Sequence, residues 1–195
     1  MRYTLKKTLL IVDLITGLCF CSLFTVEAKT FKEPLTVTSK YFSVYTDTAV
    51  DINRLLPRLN FDYFLHPETI LGRGSKKNST VIGQTLDALY LEVSDIMDIH
   101  MYNYHLNLVI VPDRSGVNNK FRELFGRDFG ERSFYLHPEN TVYISAQDLT
   151  VGMLGHEISH AIQSHYFVVP PPAKIQEVLA GYVEYSLRKK MGTLP

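Results

Sequence analysis

The chain has 195 residues, and its 20 lysines and arginines balance 20 aspartates and glutamates, so the formal net charge is zero. Hydrophobic residues make up 46% and charged residues 21% of the sequence, a globular composition that excludes disordered, collagen-like and coiled-coil proteins. The balanced charge also argues against a nucleic-acid-binding protein, which usually has a clear basic excess. We therefore expect one globular domain that is long enough to bury a hydrophobic core.

The first 28 residues have the order of a secretory signal peptide. A basic start is followed by an apolar run over residues 8–24, and Val26 and Ala28 occupy the −3 and −1 positions of a cleavage site. The alternative is an uncleaved membrane anchor, although Asp13 interrupts the run and the run is short for a membrane span. We expect cleavage, a secreted or periplasmic protein, and no stable membrane association afterwards.

Both cysteines, Cys19 and Cys21, lie in this N-terminal segment. The expected mature domain, residues 29–195, therefore contains no cysteine and cannot form a disulfide. A metal site in this domain must use histidine, aspartate or glutamate side chains.

The remaining sequence predicts an α+β fold. Short runs rich in aromatic and β-branched residues are typical of strands, and apolar residues that recur at steps of three and four indicate helices. Residues 49–78 favour no regular element, and the prolines at 170–172 separate the last two helices. In chain order we expect strand 41–45, a long helix capped by Ser79, strand 106–111, helix 118–125, strands 133–136 and 141–146 joined by a turn at 137–140, and helices 148–165 and 173–190.

The most informative segment is His156-Glu157-Ile158-Ser159-His160, an H-E-x-x-H motif on a predicted helix. Residues four apart on a helix share a face and lie about 6 Å apart, so both imidazoles can reach one small ion. Neutral imidazole is a preferred zinc ligand. Glu157 lies beside such an ion, where its carboxylate can take a proton from a water. The alternative is a pair of surface histidines on an amphipathic helix.

A third ligand is expected from the next helix. Glu177 follows His160 by 17 residues, and a helix that returns antiparallel beyond the prolines brings this glutamate back to the histidines. Glu184 lies about 10 Å further along the helix, too far to share the ion. We expect Glu177 to be the ligand, with an ordinary surface carboxylate as the alternative. Glu184 is either a partner of a ligating histidine or a solvated side chain.

The packing of this last helix is also predicted. Gly181 has no side chain, so we expect the two final helices to approach closely there. Apolar residues at helical spacing form the expected core face, which consists of Ile175, Val178, Leu179, Tyr182 and Leu187.

The segment from about Thr141 to Arg188 resembles the gluzincins, which are thermolysin-like and aminopeptidase-like zinc peptidases. In that family a strand precedes the H-E-x-x-H helix, and a second helix opens with a glutamate ligand, often in a Glu-x-x-Ala context like Glu177-Val178-Leu179-Ala180. The order of the predicted elements is similar to that of a minimal peptidase MA-like catalytic domain. The resemblance implies a zincin-like fold in which a small mixed sheet packs on helices that include the metal-binding helix.

The resemblance also implies the chemistry. Zn²⁺ would bind His156, His160 and Glu177, and Glu157 would be the general base and then the proton donor in peptide-bond hydrolysis. Strand 141–146 resembles the edge strand of the family's cleft and is expected to pair with an extended peptide or protein substrate.

The chain departs from the family at the oxyanion donor. Large gluzincins place a Tyr or His downstream of the glutamate ligand, whereas 18 residues follow Glu177 here. Upstream candidates without a family match are Tyr135, Tyr143, Tyr166 and His165. The alternatives are therefore a non-catalytic zinc-binding or interaction protein, or a catalytic fragment that a partner subunit completes. The intact Glu157 favours an enzyme, because holding a metal does not require that residue.

The N-terminal segment generates the first testable prediction. We expect export and cleavage after Ala28, so that the mature protein from its native host begins at Lys29. N-terminal sequencing of that protein measures the cleavage position directly. Recovery of a chain that begins at Met1 from the membrane fraction would instead identify an anchored protein.

Overall fold

The computed structural model describes residues 31–59 and 78–194. The predicted signal peptide and most of the unassigned stretch at 49–78 lie outside these residues. The described residues belong to one unit that begins at Phe31. In this part of the chain, no helix is both long enough and apolar enough to cross a bilayer.

A mixed five-stranded sheet organises the fold. Its strands are Leu35–Thr38 (β1), Phe42–Thr46 (β2), Leu106–Val111 (β3), Ser133–Leu136 (β4) and Thr141–Ser145 (β5). They lie in the order β1-β2-β3-β5-β4, in which β2, β3 and β5 are parallel and the two outer strands are antiparallel to their neighbours. Together with the helices below, this sheet agrees with the predicted α+β class.

Four α-helices and two 3₁₀ helices accompany the sheet in the described residues. The 3₁₀ helix at Ile52–Leu59 was not predicted, and the one at His137–Glu139 forms the predicted turn between β4 and β5. The α-helices are Asn78–Met97 (α1), Arg114–Phe125 (α2), Val151–Tyr166 (α3) and Ala173–Lys190 (α4). The helix expected over 118–125 begins four residues earlier, because the Asp113 side chain accepts the N–H of Gly116 at 3.0 Å and caps it. Helix α1 begins one residue before the predicted cap, Ser79.

The sheet separates two hydrophobic clusters. Leu108 and Ile110 point into the larger cluster with α1, α3 and α4, whereas Val109 and Val111 join a smaller cluster with α2. Strand β3 is therefore buried on both faces, as is typical of a parallel strand between helices. Helix α3 belongs to the larger layer and presents the buried side chains of Leu154, Ile158, Ala161 and Ile162 to it.

The position of β5 corrects the expected substrate-binding strand. β5 pairs with β3 on one side and with β4 on the other, so both of its edges already carry strand pairing. The prediction that strand 141–146 forms the edge of the cleft is therefore wrong. On this side of the sheet the terminal strand is β4, because the short turn at His137–Glu139 folds it back onto the outer side of β5.

The packing of α4 on α3 also differs from the prediction. Ala180, Val183 and Leu187 are the buried residues of α4, whereas Ile175, Val178 and Tyr182 are 48–61% exposed. The expected core face is thus wrong except at its C-terminal end. The physical reason is that α4 contacts the rest of the fold along one narrow side, which three residues are enough to cover.

Close approach of the two helices depends on glycines of α3 rather than on Gly181. A Cβ atom built at Gly155 would lie 2.1 Å from Cδ1 of Leu187, and one at Gly152 would lie 3.1 Å from Cγ of Glu184. At Gly181, by contrast, no atom lies within 4 Å of an added Cβ. The missing side chains at 152 and 155 therefore let α4 lie directly on α3.

This difference generates a prediction about stability. We expect Gly155→Ala to lower the free energy of unfolding, because overpacking a buried contact costs about 1–3 kcal/mol and outweighs the gain in helix propensity of about 1 kcal/mol. The matched control, Gly181→Ala, adds the same methyl group in open space and should stabilise by up to about 1 kcal/mol. Urea denaturation measures the free energy of unfolding of both variants. An equal change in this free energy for Gly155→Ala and Gly181→Ala would show that Gly155 does not set the helix spacing.

Candidate metal centre

Three side chains that can bind a metal meet where α4 lies on α3. His156 and His160 occupy consecutive turns of α3, and their Nε2 atoms are 3.2 Å apart. Glu177, near the start of α4, has Oε2 at 3.5 Å from Nε2 of His156 and Oε1 at 3.5 Å from Nε2 of His160. One ligand atom from each residue lies within 4.8 Å of the others, so this group could hold a metal ion.

The donor set fits a small cation. Zn–N bonds of about 2.0–2.1 Å at a tetrahedral angle place two nitrogens about 3.3 Å apart, close to the 3.2 Å between the two Nε2 atoms. Burial, followed by the neighbouring His156, lowers the pKa of His160, against an opposing effect of Glu177. The lowered pKa favours the neutral imidazole of His160, which is the form that binds metal. Two imidazoles and one carboxylate leave a fourth tetrahedral position for water or substrate.

Glu184 lies behind His156, on the side away from the other ligands. Its Oε2 is 3.5 Å from Nδ1 of His156, and this Nδ1 is buried and has no hydrogen-bond partner within normal distance. Histidines that bind metal usually direct their second nitrogen to a carboxylate or carbonyl, which orients the ring. Of the two alternatives for Glu184, the geometry favours a partner of His156. Gly152 leaves the space that the stem of Glu184 occupies.

Glu157 points toward β4 and is buried, with 6% of its surface exposed. Ser133 donates its hydroxyl hydrogen to Oε1 of Glu157 at 2.7 Å, and the backbone N–H of Tyr135 also donates to this carboxylate. Burial raises the pKa of Glu157 to about 7, an effect that the hydrogen bond from Ser133 opposes. The carboxylate is thus held in one orientation beside the histidines, and a pKa of about 7 allows it both to accept and to donate a proton near neutral pH.

A cavity of about 680 Å³ opens over these groups. The three potential ligands and Glu157 lie on one side of it, and β4 supplies Ser133 and Tyr135 to the opposite wall. Met153 and Gln176 are among the further residues that α3 and α4 contribute to the lining. The space is large enough for several residues of an extended peptide, and the exposed carboxylate of Glu177 faces it.

The structure separates the candidates for an oxyanion donor. Tyr135 lines the cavity, but its hydroxyl is 3.2 Å from Nδ1 of His165 and 3.3 Å from Oδ1 of Asn140. Tyr143 belongs to the cluster on the other face of the sheet, where its hydroxyl donates to Glu139. Tyr166 is 52% exposed at the end of α3. Tyr135 is therefore the candidate that the fold places at the cavity.

His165, at the end of α3, makes its contacts within the fold. Its Nδ1 lies 3.0 Å from the carbonyl oxygen of Ala161, one turn earlier in α3. Its ring also packs against His137, with 4.9 Å between the ring centroids. His137 lines the cavity at the end of β4, a placement that its position in a predicted turn did not indicate.

Sequence reasoning missed Ser133 and the glycines of α3. A serine at the start of a predicted strand carries no signal for contact with a glutamate 24 residues later, because that contact depends on how the strand lies over the helix. Gly152 and Gly155 do carry a signal, since they lie three residues apart on the same side of a predicted helix, immediately before His156. That spacing marks a side where another element approaches closely.

Comparison with known proteins leaves the family of this chain undetermined. No protein-family model matches the sequence, and neither the curated proteins nor the solved structures contain a match. The gluzincin resemblance therefore rests on the sequence alone, that is, on the H-E-x-x-H motif, on Glu177 and on the order of the elements.

The position of Glu184 generates a prediction about metal affinity. Glu184→Gln keeps the size of the side chain but removes the charge that faces Nδ1 of His156, so zinc affinity should fall by about 10–100-fold. Competition with a chromophoric chelator measures the dissociation constant. Glu123→Gln is the matched control, because Glu123 pairs with Lys32 at the surface and is not one of the potential ligands. The zinc affinity of this variant should equal that of the wild type. Unchanged affinity in Glu184→Gln would identify a solvated glutamate.

Proposed function

We propose that this protein is a zinc-dependent peptidase of gluzincin type with a zincin-like fold. The observation that carries the proposal is the triangle of two Nε2 atoms and the Glu177 carboxylate, 3.2–3.5 Å on a side, next to the buried Glu157 in an open cavity. Three protein ligands with an open fourth position are typical of catalytic rather than structural zinc sites. His156, His160 and Glu177 would hold the ion.

Bound zinc would supply Lewis-acid polarisation of the scissile carbonyl and of the attacking water. Glu157 accepts the proton that the water loses and delivers it to the amine that leaves, so one carboxylate is first base and then acid. Ser133 and the N–H of Tyr135 hold that carboxylate toward the cavity during both transfers. Glu184, whose Oε2 lies 3.5 Å from Nδ1 of His156, would keep the ring in the orientation in which Nε2 can bind the ion.

The substrate that this arrangement fits is an extended peptide. β4 is one of the two terminal strands of the described sheet and forms one wall of the cavity. A peptide that adds to the outer side of β4 would receive main-chain hydrogen bonds from this strand and lie along the cavity. This placement replaces the expected pairing with strand 141–146, whose edges are occupied by β3 and β4.

The test of the proposal is the activity of Glu157→Gln. The amide has the size of the carboxylate but cannot accept the proton of the water, so turnover of a peptide library should fall by about 10²–10⁴-fold. Zinc content, measured by elemental analysis, should stay at the wild-type value because Glu157 is not a ligand. Cleavage kinetics of zinc-loaded wild type and variant give the ratio.

The matched control is Glu131→Gln, which removes a carboxylate from the same cavity lining without touching the triangle of ligands. Its turnover should remain within a few-fold of the wild type. A zinc-loaded wild type that cleaves no member of a broad library would contradict the proposal and favour a non-catalytic zinc-binding protein. Activity that appears only after a second polypeptide is added would indicate a cleft shared with a partner subunit.

A further inference from the structure

Helix α4 carries an apolar stripe on its outer side. Ile175, Val178, Tyr182 and Tyr185 follow one another at steps of three and four residues, and each is 48–61% exposed. We call these four residues the α4 stripe. Isolated apolar residues on a surface are ordinary, but a contiguous row of large ones marks a site of interaction.

The direction of the stripe separates it from the metal centre. At 100° per residue, its centre is rotated by about 150° from the buried side of the helix, Ala180, Val183 and Leu187. By the same geometry it is rotated by about 130° from Glu177 and Glu184. A partner that covers the stripe therefore leaves the cavity accessible.

The stripe is large enough for a small interface. Multiplied by ordinary residue areas, the exposed fractions of its four residues amount to roughly 450 Å² per copy, so two copies would bury about 900 Å², a size found in weak and reversible complexes. Tyr166, Val168 and Val169, at the end of α3 and in the connection to α4, are also exposed.

We propose that the α4 stripe is covered by a second copy of this chain, with the two α4 helices antiparallel across a two-fold axis. An axis at the level of residue 180 places Ile175 opposite Tyr185 of the second copy and Val178 opposite Tyr182 of the second copy. The stripe is aliphatic in its first half and aromatic in its second half, so every aliphatic side chain meets a ring. Such self-complementarity is what an isologous interface requires.

Charge supports the antiparallel arrangement and a protein partner. Antiparallel helices oppose their dipoles, which is favourable, whereas a parallel pair would align them. At 100° per residue, the basic side chains on the stripe's side of the helix are Lys174 and Lys189, and both are exposed. Two lysines are fewer than the cluster of about four to eight basic residues by which anionic lipid surfaces are recognised. Arg188 and Lys190 point to other sides of the helix, where they pair with Glu184 and Glu92.

The proposal does not depend on peptidase activity, and sedimentation velocity tests it. The protein, purified as produced from its full coding sequence, should sediment as a dimer at micromolar concentration. Tyr182→Glu should raise the dissociation constant at least about a hundredfold, because a charge enters a desolvated contact twice in a symmetric interface. The matched control is Tyr102→Glu, at a tyrosine with 62% exposure against 59% for Tyr182, and it should leave the dimer unchanged.

A mixed sample tests the register. Val178→Lys and Tyr182→Glu should each be monomeric alone, and an equimolar mixture should form a heterodimer, because the antiparallel register sets the new lysine against the new glutamate. A monomeric wild type at 100 µM, or a dimer that survives Tyr182→Glu, would overturn the proposal. Binding of a monomeric wild type to vesicles of anionic phospholipid, lost in Tyr182→Glu, would also overturn it and assign the stripe to a lipid surface.

Discussion

The close contact of α4 with α3 is the constraint on which the candidate site depends. His156 and His160 lie on one helix, and the third potential ligand, Glu177, lies on the other. These three side chains reach one another only if the two backbones are near, and Gly155 permits that by leaving room for the fully buried Leu187. The helix contact thus converts two separate sequence motifs into one potential metal centre.

The same contact brings Glu184 to His156. Glu184 is two turns beyond Glu177, and α4, which runs back along α3, places it near Gly152. The carboxylate then faces Nδ1 of the histidine, while Nε2 faces the other ligands. One pair of packed helices therefore supplies the potential ligands and the residue that orients one of them.

The sheet determines the other wall of the cavity. The hairpin folds β4 onto the outer side of β5. The strand that leads into α3, β5, is therefore internal, and β4, which precedes it in the chain, is terminal on that side of the sheet. Ser133 and Tyr135 on β4 then hold Glu157, which lies on the α3 side of the cavity. The strand that forms this wall of the cavity therefore also fixes the carboxylate beside the potential metal ligands.

Helix α4 has three sides that differ in burial and in the residues they carry. A narrow side of small and aliphatic residues is buried, a second side carries Glu177 and Glu184 toward α3, and the apolar stripe faces outward. Periodicity alone could not separate the first side from the third, because both consist of apolar residues at helical spacing. Tyr182 was assigned to the core for that reason, and it is exposed since α4 packs along one side only.

The sequence by itself determined the local elements and the chemistry of the motif. The strand at 106–111, the helix at 173–190 and the H-E-x-x-H helix follow from residue periodicity and from prolines and glycines, which act over a few neighbouring positions. The choice of Glu177 as a potential third ligand also followed from the sequence, because a helix that returns antiparallel beyond the prolines brings this glutamate back to the histidines. Tertiary structure alone decided which strand is terminal, which side of α4 is buried, and that Ser133 meets Glu157. Each of these depends on contacts between residues distant in sequence, and no pattern within one element records them.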